Sequence, residues 1–127
     1  MTKQELTEYI FDTYSVEPDH PFKMDDVSCV FRHASNRKWF ALTMNIPYRT
    51  LGVIRDGNVD ILNLKCDPIL VGALRGKSGI LPGYHMNKDK WITMLLDGSA
   101  ERGDIEALLA MSFELTAARS KRTGGKR

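Results

Sequence analysis

Apolar and charged residues alternate at helical spacing in the first fourteen positions. One apolar stripe consists of Leu6, Tyr9, Ile10 and Tyr14, while acidic side chains occupy the other side. The run Thr2-Lys3-Gln4-Glu5 fits a capping box, in which the threonine and glutamate side chains each bind a free amide of the first turn. The pattern therefore predicts a helix that starts after Thr2, ends before Pro18 and covers a sheet.

From residue 27 onward, apolar and polar residues in several segments alternate with a period of two instead of at helical spacing. Segments bounded by turn residues predict five strands, over residues 27–33, 38–44, 59–65, 80–86 and 91–96. The first two strands read as a hairpin, and the last two as a second hairpin. Residues 47–55 give no clear prediction, because Pro47 and Gly52 interrupt a strand-like composition.

Two further helices are predicted from cap residues. Asp67 followed by Pro68 starts a short helix that stops at Gly76, with an apolar stripe of Leu70, Ala73 and Leu74. Asp104 is predicted to cap a last helix, whose apolar face consists of Ile105, Leu108, Leu109, Ser112 and Leu115. The order α-β(3)-α-β(2)-α predicts a two-layer α+β fold, with an antiparallel sheet and the helices on one face.

Size and charge narrow the class of protein. The 127 residues fit one domain, residues 1–119, followed by a basic tail, residues 120–127, that we expect to be unfolded. The net charge of +2 is the sum of −5 over residues 1–30, +5 over residues 31–102, −3 over residues 103–118 and +5 over residues 119–127. Any anion site must therefore be local. No apolar run approaches the roughly 20 residues that cross a bilayer, and no secretory signal is evident, so we expect a cytoplasmic protein without a membrane partner.

Residues with catalytic or metal-binding chemistry are sparse. Cys29 and Cys66 lie far apart and outside any Cys-x-x-Cys pattern, which favours two buried, reduced thiols. The three histidines share no spacing typical of metal ligands, so we expect neither a metal nor another cofactor. Nucleophile-elbow and phosphate-loop motifs are absent from the sequence, which favours a protein that is not an enzyme.

Several longer motifs resemble those of a known family. They are Trp39-Phe40-Ala41, Asn63-Leu64-Lys65-Cys66-Asp67-Pro68, Pro82-Gly83-Tyr84-His85-Met86-Asn87-Lys88, Trp91 and Leu96-Asp97-Gly98. In these residues the chain resembles the MmcQ/YjbR family over nearly its whole length. The resemblance implies a fold of the secretion-chaperone-like kind with a double-wing look. It also implies DNA binding, because the family is commonly described in that way.

A basic surface formed by the sheet and the second hairpin would suit that role. The predicted nucleic-acid-binding residues are Arg32, Arg37, Lys38, Lys65, Arg75, Lys77, Asn87, Lys88, Lys90 and Trp91. They would neutralise phosphates with little readout of bases. Alternatively, Trp91 anchors the core and the lysines protect a sheet edge. A different class of function, a protein-interaction or chaperone-like adaptor, would require an exposed apolar sheet face.

Two residues allow more than one interpretation. Lys65, beside the Asp67 cap and a helix N-terminus, could meet a phosphate or simply pair with a neighbouring carboxylate. His85 alternates with its neighbours in a predicted strand, and it could be a general base or a hydrogen-bonded structural histidine. An enzyme would need a deep pocket that joins His85, Lys65 and Asp67.

Overall fold

The computed structural model describes residues 1–23 and 25–118. The α-helices in these ranges are α1 Lys3–Tyr14, α2 Pro68–Leu74 and α3 Arg102–Thr116. The strands are β1 Cys29–Arg32, β2 Trp39–Pro47, β3 Asn58–Lys65, β4 Ile80–Pro82 and β5 Trp91–Leu95. They form one sheet in the order β1-β2-β3-β5-β4, and all neighbours are antiparallel. The predicted α+β class and element order are confirmed, whereas the predicted tail, residues 120–127, lies outside the described residues.

Helices α1 and α3 pack on one face of the sheet, here called the helix face. Their fully buried side chains are Leu6, Ile10, Ile105 and Leu109. The strands contribute Phe31, Phe40, Leu62, Leu64, Ile92 and Met94 to the same cluster. Burial of each such side chain stabilises the fold by roughly 1.5–3 kcal/mol, so this layer is the main source of stability. The two thiols are also buried here, as predicted, and both are free.

Local capping signals predict the starts of α1 and α2 correctly. The Thr2 hydroxyl group accepts a hydrogen bond from the amide of Glu5 at 3.1 Å, and the Glu5 carboxylate accepts one from the amide of Thr2 at 2.8 Å. At α2, the Asp67 carboxylate accepts a hydrogen bond from the amide of Ile69 at 3.0 Å. Each of these bonds satisfies an amide that has no partner inside its helix.

The predicted cap of α3 is wrong. The helix begins at Arg102, after the N-cap residue Glu101, and Asp104 lies inside its first turn. The Asp104 carboxylate forms an ion pair with Lys77 at 3.1 Å instead of capping the helix. An acidic residue is favourable anywhere in the first turn, because the helix dipole is positive there, so residue type alone does not distinguish the cap from the next positions.

The apolar stripes of α2 and α3 also differ from the prediction. Helix α2 buries Val71, whereas Leu70 is 38% exposed. On α3, Leu115 is 48% exposed and Thr116 is buried in its place. None of the helices in the described ranges has both the length and the apolar composition that a bilayer crossing requires.

Residues 47–55 cover part of the opposite face of the sheet. Within this segment, Tyr48–Leu51 form a 3-10 helix. A second apolar cluster joins this helix to the sheet and consists of Ile46, Tyr48, Val59, Ile61 and Leu95. The Tyr48 hydroxyl group donates a hydrogen bond to Asp97 at 2.6 Å, and Arg55 lies 4.7 Å from the centre of the Tyr48 ring. These contacts fix the segment to the sheet.

His33 is buried between the end of β1 and α3. Its Nε2 atom lies 2.8 Å from Thr116 Oγ1, and its ring centre lies 4.3 Å from that of Phe113 and 5.2 Å from that of Phe40. Burial lowers the pKa of His33 below its ordinary value of 6.5, because the charged imidazolium would lose its water. A hydrogen bond with the backbone of Phe113 offsets only part of this effect.

The free energy of unfolding should therefore fall as the pH drops below about 6.5, since the unfolded chain binds a proton that folded His33 does not. Above that pH this contribution should stay constant. We expect His33→Gln to weaken the pH dependence of the unfolding free energy between about pH 7.5 and 5.5, measured by urea unfolding at each pH. His85→Gln, which changes an exposed histidine, is the matched control and should keep the wild-type dependence. An unchanged pH dependence in His33→Gln would contradict the prediction.

Candidate functional site

Four side chains form a row across one end of the sheet. The row crosses four neighbouring strands and is here called the tryptophan row: Arg32, Trp39, Lys65 and Trp91. Arg32 is paired with Trp39, and Lys65 is paired with Trp91. The residues that precede the two cations belong to the core of the helix face. Because side chains alternate along a strand, the row lies on the opposite face.

Each tryptophan of the row has a cation beside its ring. Arg32 Cζ lies 5.8 Å from the ring centre of Trp39, and Lys65 Nζ lies 5.8 Å from that of Trp91. All four side chains are partly exposed, and neither tryptophan belongs to a buried cluster. A cation beside an exposed ring contributes only about 0.5–1 kcal/mol. The rings therefore present aromatic surface to the solvent next to positive charge.

A hydroxyl group of α3 lies between β2 and β3 just at the row. Ser112 Oγ donates a hydrogen bond to the carbonyl of Phe40 at 2.6 Å and accepts one from the amide of Lys65 at 2.9 Å. The pairing of β2 with β3 begins further along, at Leu42 opposite Asn63. If the same register continued toward this end of the sheet, Phe40 would lie opposite Lys65. The Ser112 hydroxyl group therefore takes the place of a direct bond between the two strands.

Residues 83–90, here called the wing, leave the sheet after β4 and fold over its opposite face. The predicted strand over residues 80–86 is thus wrong beyond Pro82. Three hydrogen bonds form a closed ring: Asn63 Nδ2 to the carbonyl of Tyr84 at 2.9 Å, the amide of Tyr84 to Thr93 Oγ1 at 2.8 Å, and the Thr93 hydroxyl group to Asn63 Oδ1. Asn63 and Thr93 are fully buried, so these bonds replace water and hold the wing in place.

The predicted binding residues of the wing have two kinds of role. The Asn87 side chain accepts a hydrogen bond from the amide of Asp89 at 2.9 Å, so its oxygen shapes a turn. Lys88 and Lys90 are exposed, and Lys88 Nζ donates to a carbonyl within the wing at 3.0 Å. The Arg75 guanidinium donates to the carbonyl of Lys88 and connects the end of α2 to the wing.

The predicted basic residues divide into paired and unpaired cations. Arg32 pairs with Asp19 at 3.0 Å, and Lys77 pairs with Asp104 at 3.1 Å. Lys77 is remote from the row, because Asp104 lies about 12 Å along α3 from Ser112. Within the described residues, no carboxylate oxygen lies within 4.0 Å of the side-chain nitrogens of Arg37, Lys38, Lys65, Arg75, Lys88 and Lys90.

Asp67 has a structural role at the start of α2. Its carboxylate already accepts the hydrogen bond of the Ile69 amide, which occupies the N-terminus of this short helix. Lys65 lies two residues earlier, on β3, and its ammonium group is beside the ring of Trp91. Lys65 and the helix N-terminus therefore do not converge on a single anion, and Lys65 belongs to the row.

His85 lies in the wing and not in a strand. It is exposed, its φ is +57°, and its ring stacks on that of Tyr84 with the centres 4.0 Å apart. The predicted alternation with Tyr84 and Met86 is wrong, because alternation requires extended backbone. His85 also makes no side-chain hydrogen bond within the part of the chain that the structure describes.

A hollow of about 300 Å³ opens beside His85. It is lined by Thr50, Leu51, Leu81, Pro82, Tyr84, His85 and Lys88. Neither Lys65 nor Asp67 lines this hollow, so it does not join the three residues. In residues 1–23 and 25–118, no group of three His, Cys, Asp or Glu side chains is arranged to hold a metal ion.

Trp39 was not among the predicted binding residues, although it is half of one cation–ring pair. Its position depends on an irregularity in strand pairing: the register shifts between Phe31 and Arg32, which are opposite Ala41 and Trp39. Without the extra residue in β2, Trp39 would share a face with Ala41 and point toward the helices. The alternation of polar and apolar residues carries no signal for this shift.

Comparison with known proteins assigns the chain to a family. The YjbR family model matches residues 3–115. The chain belongs to the YjbR family. The resemblance to MmcQ/YjbR proteins that the motifs indicated is thereby confirmed, and residues 32–91, which contain the row and the wing, lie inside the matched range.

Relatives of this YjbR protein match over most of its length. The uncharacterised protein YyaQ of Bacillus subtilis is 39% identical over 116 residues, which are 91% of this chain and 98% of YyaQ. A crystal structure of a Pseudomonas syringae protein has a TM-score of 0.90 and 45% identity, covering 92% of this chain and 100% of that one. The crystal structure of Deinococcus radiodurans DR2400, with domain DUF419, has a TM-score of 0.68 and 29% identity, covering 97% and 86% of the two chains.

Ser112→Ala should destabilise the fold, because it leaves the carbonyl of Phe40 and the amide of Lys65 without a partner. We expect a loss of about 1–3 kcal/mol for each group that stays buried, measured as the free energy of unfolding in urea. Ser78→Ala is the matched control, since the Ser78 hydroxyl group bonds the carbonyl of Ser99 at an exposed site; its effect should be within about 0.5 kcal/mol. Equal effects of the two substitutions would contradict this role of Ser112.

Gly83→Ala should displace the wing. A Cβ atom at this position would lie 2.9 Å from both the Cβ and the carbonyl oxygen of Trp91. We expect a loss of about 1–3 kcal/mol in unfolding free energy, together with a shift in tryptophan emission. Gly72→Ala is the matched control, because nothing lies within 4 Å of a Cβ there; in the exposed α2 helix it should stabilise by about 0.5–1 kcal/mol. Unchanged emission from Gly83→Ala would show that the close approach does not fix the wing.

Proposed function

We propose that this YjbR protein binds DNA, or another polyanion of similar charge, through the tryptophan row, the wing and the turn between β1 and β2. One observation carries the proposal: five cations without a carboxylate partner among the described residues belong to segments at the end of the sheet that also carries two partly exposed tryptophans. These cations are Arg37, Lys38, Lys65, Lys88 and Lys90. The role is that of a binding protein in the cytoplasm and requires no catalytic group.

The strand order supports a common location for these cations. Arg37 and Lys38 lie in the turn between β1 and β2, Lys65 ends β3, and the wing leads into β5. In an antiparallel sheet, all of these connections occur at the same end of the strands. A phosphate backbone laid across this end would meet positive charge from three separate segments, although residues 1–30 of the chain are acidic.

The contacts favour recognition of phosphates over recognition of base edges. Lysine and arginine side chains that have no acidic partner can replace the counterions of a nucleic acid, and the release of those ions drives binding. Side chains that would read base edges need fixed orientations, whereas Lys88 and Lys90 are exposed. Binding should therefore depend steeply on salt and weakly on sequence.

The alternative function, an adaptor that uses a bare apolar sheet face, receives less support. Part of that face is covered by residues 47–55, and the apolar cluster that joins this segment to the sheet is buried. Large exposed apolar side chains among the described residues are Phe11, Phe22, Val27, Ile54, Ile69, Leu70 and Leu115, and none of them belongs to a strand. The surface that this function would need is therefore not offered by the sheet.

Titration of labelled duplex and single-stranded DNA of equal length tests the proposal. If each of the five cations neutralises one phosphate of a duplex, the logarithm of the binding constant should fall with the logarithm of salt concentration with a slope of about −4.5. Lys65→Ala should reduce the magnitude of the slope by about 1, and the double variant Lys88→Ala/Lys90→Ala by about 2.

Lys77→Ala is the matched control, because Lys77 is paired with Asp104 and lies away from the row. It should leave both the affinity and the slope unchanged. A chain that lacks residues 120–127 should still bind through the domain. Absence of binding to both forms of DNA at low salt, or loss of all binding on removal of residues 120–127, would refute the proposal.

A further inference from the structure

We infer that the tryptophan row takes a single-stranded nucleic acid, whose bases stack on Trp39 and Trp91. This inference rests on the proposed function and adds the form of the nucleic acid. The observation that carries it is the arrangement of two partly exposed indole rings, each beside a cation, on one face of the sheet.

The two rings are carried by strands of the same sheet, with one strand between them. Trp39 belongs to β2 and Trp91 to β5, with β3 between them. Neighbouring strands lie about 4.8 Å apart, so the two tryptophans start from backbones roughly 10 Å apart. Aromatic side chains on the strands of an open sheet are a known way to stack two or three unpaired bases of RNA. The row offers the same kind of surface.

Contacts around the rings hold them in position without covering them. The Cβ atom and backbone of Trp91 lie against Gly83, which fixes the base of the side chain. Trp39 is in edge contact with Phe22, with ring centres 6.1 Å apart. Both indoles nevertheless stay partly exposed. A rigid ring loses little conformational freedom when a base stacks on it, and Lys65, which has no carboxylate partner among the described residues, can meet a phosphate of the same strand.

The shape of the row is poorly suited to a duplex. The row crosses four strands, which span roughly 14 Å between the outer backbones at about 4.8 Å per step. The major groove of B-form DNA is about 12 Å wide and admits a helix or a two-stranded ribbon. A flat surface of four strands cannot enter it. Rings that need the face of an unpaired base would stay unused against a duplex, where bases are stacked on each other.

Intrinsic fluorescence gives a direct test, because the protein has only two tryptophans and both belong to the row. The wild-type chain would be titrated with oligothymidylate, with oligouridylate and with a DNA duplex of the same length, at one salt concentration. We expect quenching of the tryptophan emission by the single strands and at least tenfold weaker binding of the duplex. The comparison of the two single strands distinguishes DNA from RNA.

Variants test the rings one at a time. Trp91→Leu and Trp39→Leu should each weaken single-strand binding by about 5- to 150-fold, while duplex binding changes much less. Trp91→Phe and Trp39→Phe keep an aromatic face and should keep most of the wild-type affinity for single strands. They also serve as controls for misfolding, because they replace the same residues as the leucine variants. Lys77→Ala is the control and should bind single strands as the wild type does.

The outcomes separate this inference from the proposed function. Equal or tighter binding of the duplex, with no quenching of either tryptophan, would overturn the single-strand inference and leave polyanion binding in place. Absence of binding to any of the three nucleic acids would overturn both. Preference for single strands that survives Trp91→Leu and Trp39→Leu would show that the preference does not come from the row.

Discussion

One hydroxyl group determines how the basic end of the sheet is built. The side chain of Ser112, on α3, lies between β2 and β3. Its hydroxyl group donates a hydrogen bond to the carbonyl of Phe40 and accepts one from the amide of Lys65. The two strands are therefore joined through α3 at this end and directly to each other further along. Since Lys65 belongs to the tryptophan row, the helix layer and the candidate site share one connection. A change in the packing of α3 should therefore alter the position of Lys65 through the hydrogen bond of Ser112.

Most of the fold could be predicted because its signals are local. The Thr2 and Glu5 pair and the Asp67 cap each act within a few residues, so their chemistry is readable without knowledge of the rest of the chain. Asp104 shows the limit of such signals. A carboxylate in the first turn is compatible with several positions, and its distant partner Lys77 decides which bond it forms. The predicted start of the helix was therefore misplaced by three residues, from the cap at Glu101 to Asp104.

The candidate site was harder to predict, because its geometry depends on contacts between distant segments. The cations of the site follow from composition alone, but Trp39 joins Arg32 only through an extra residue in β2. The first part of the wing was mistaken for a strand, since its departure from the sheet depends on buried Asn63, which is 21 residues from Tyr84 in sequence. His85 accordingly adopts a positive φ in a turn. Charge could be read from the sequence, whereas the arrangement of rings required the register of the sheet.

The two outer strands have a consequence for how copies of the chain behave at high concentration. β1 has four residues and pairs irregularly with β2, and β4 has three residues and ends in Pro82, which has no amide to donate. Edge strands that are short, irregular or ended by proline are poor templates for the addition of a strand from another molecule. Asp19 also bridges Val30 at the outer edge of β1. The domain should therefore resist edge-to-edge aggregation, even though its sheet does not close into a barrel.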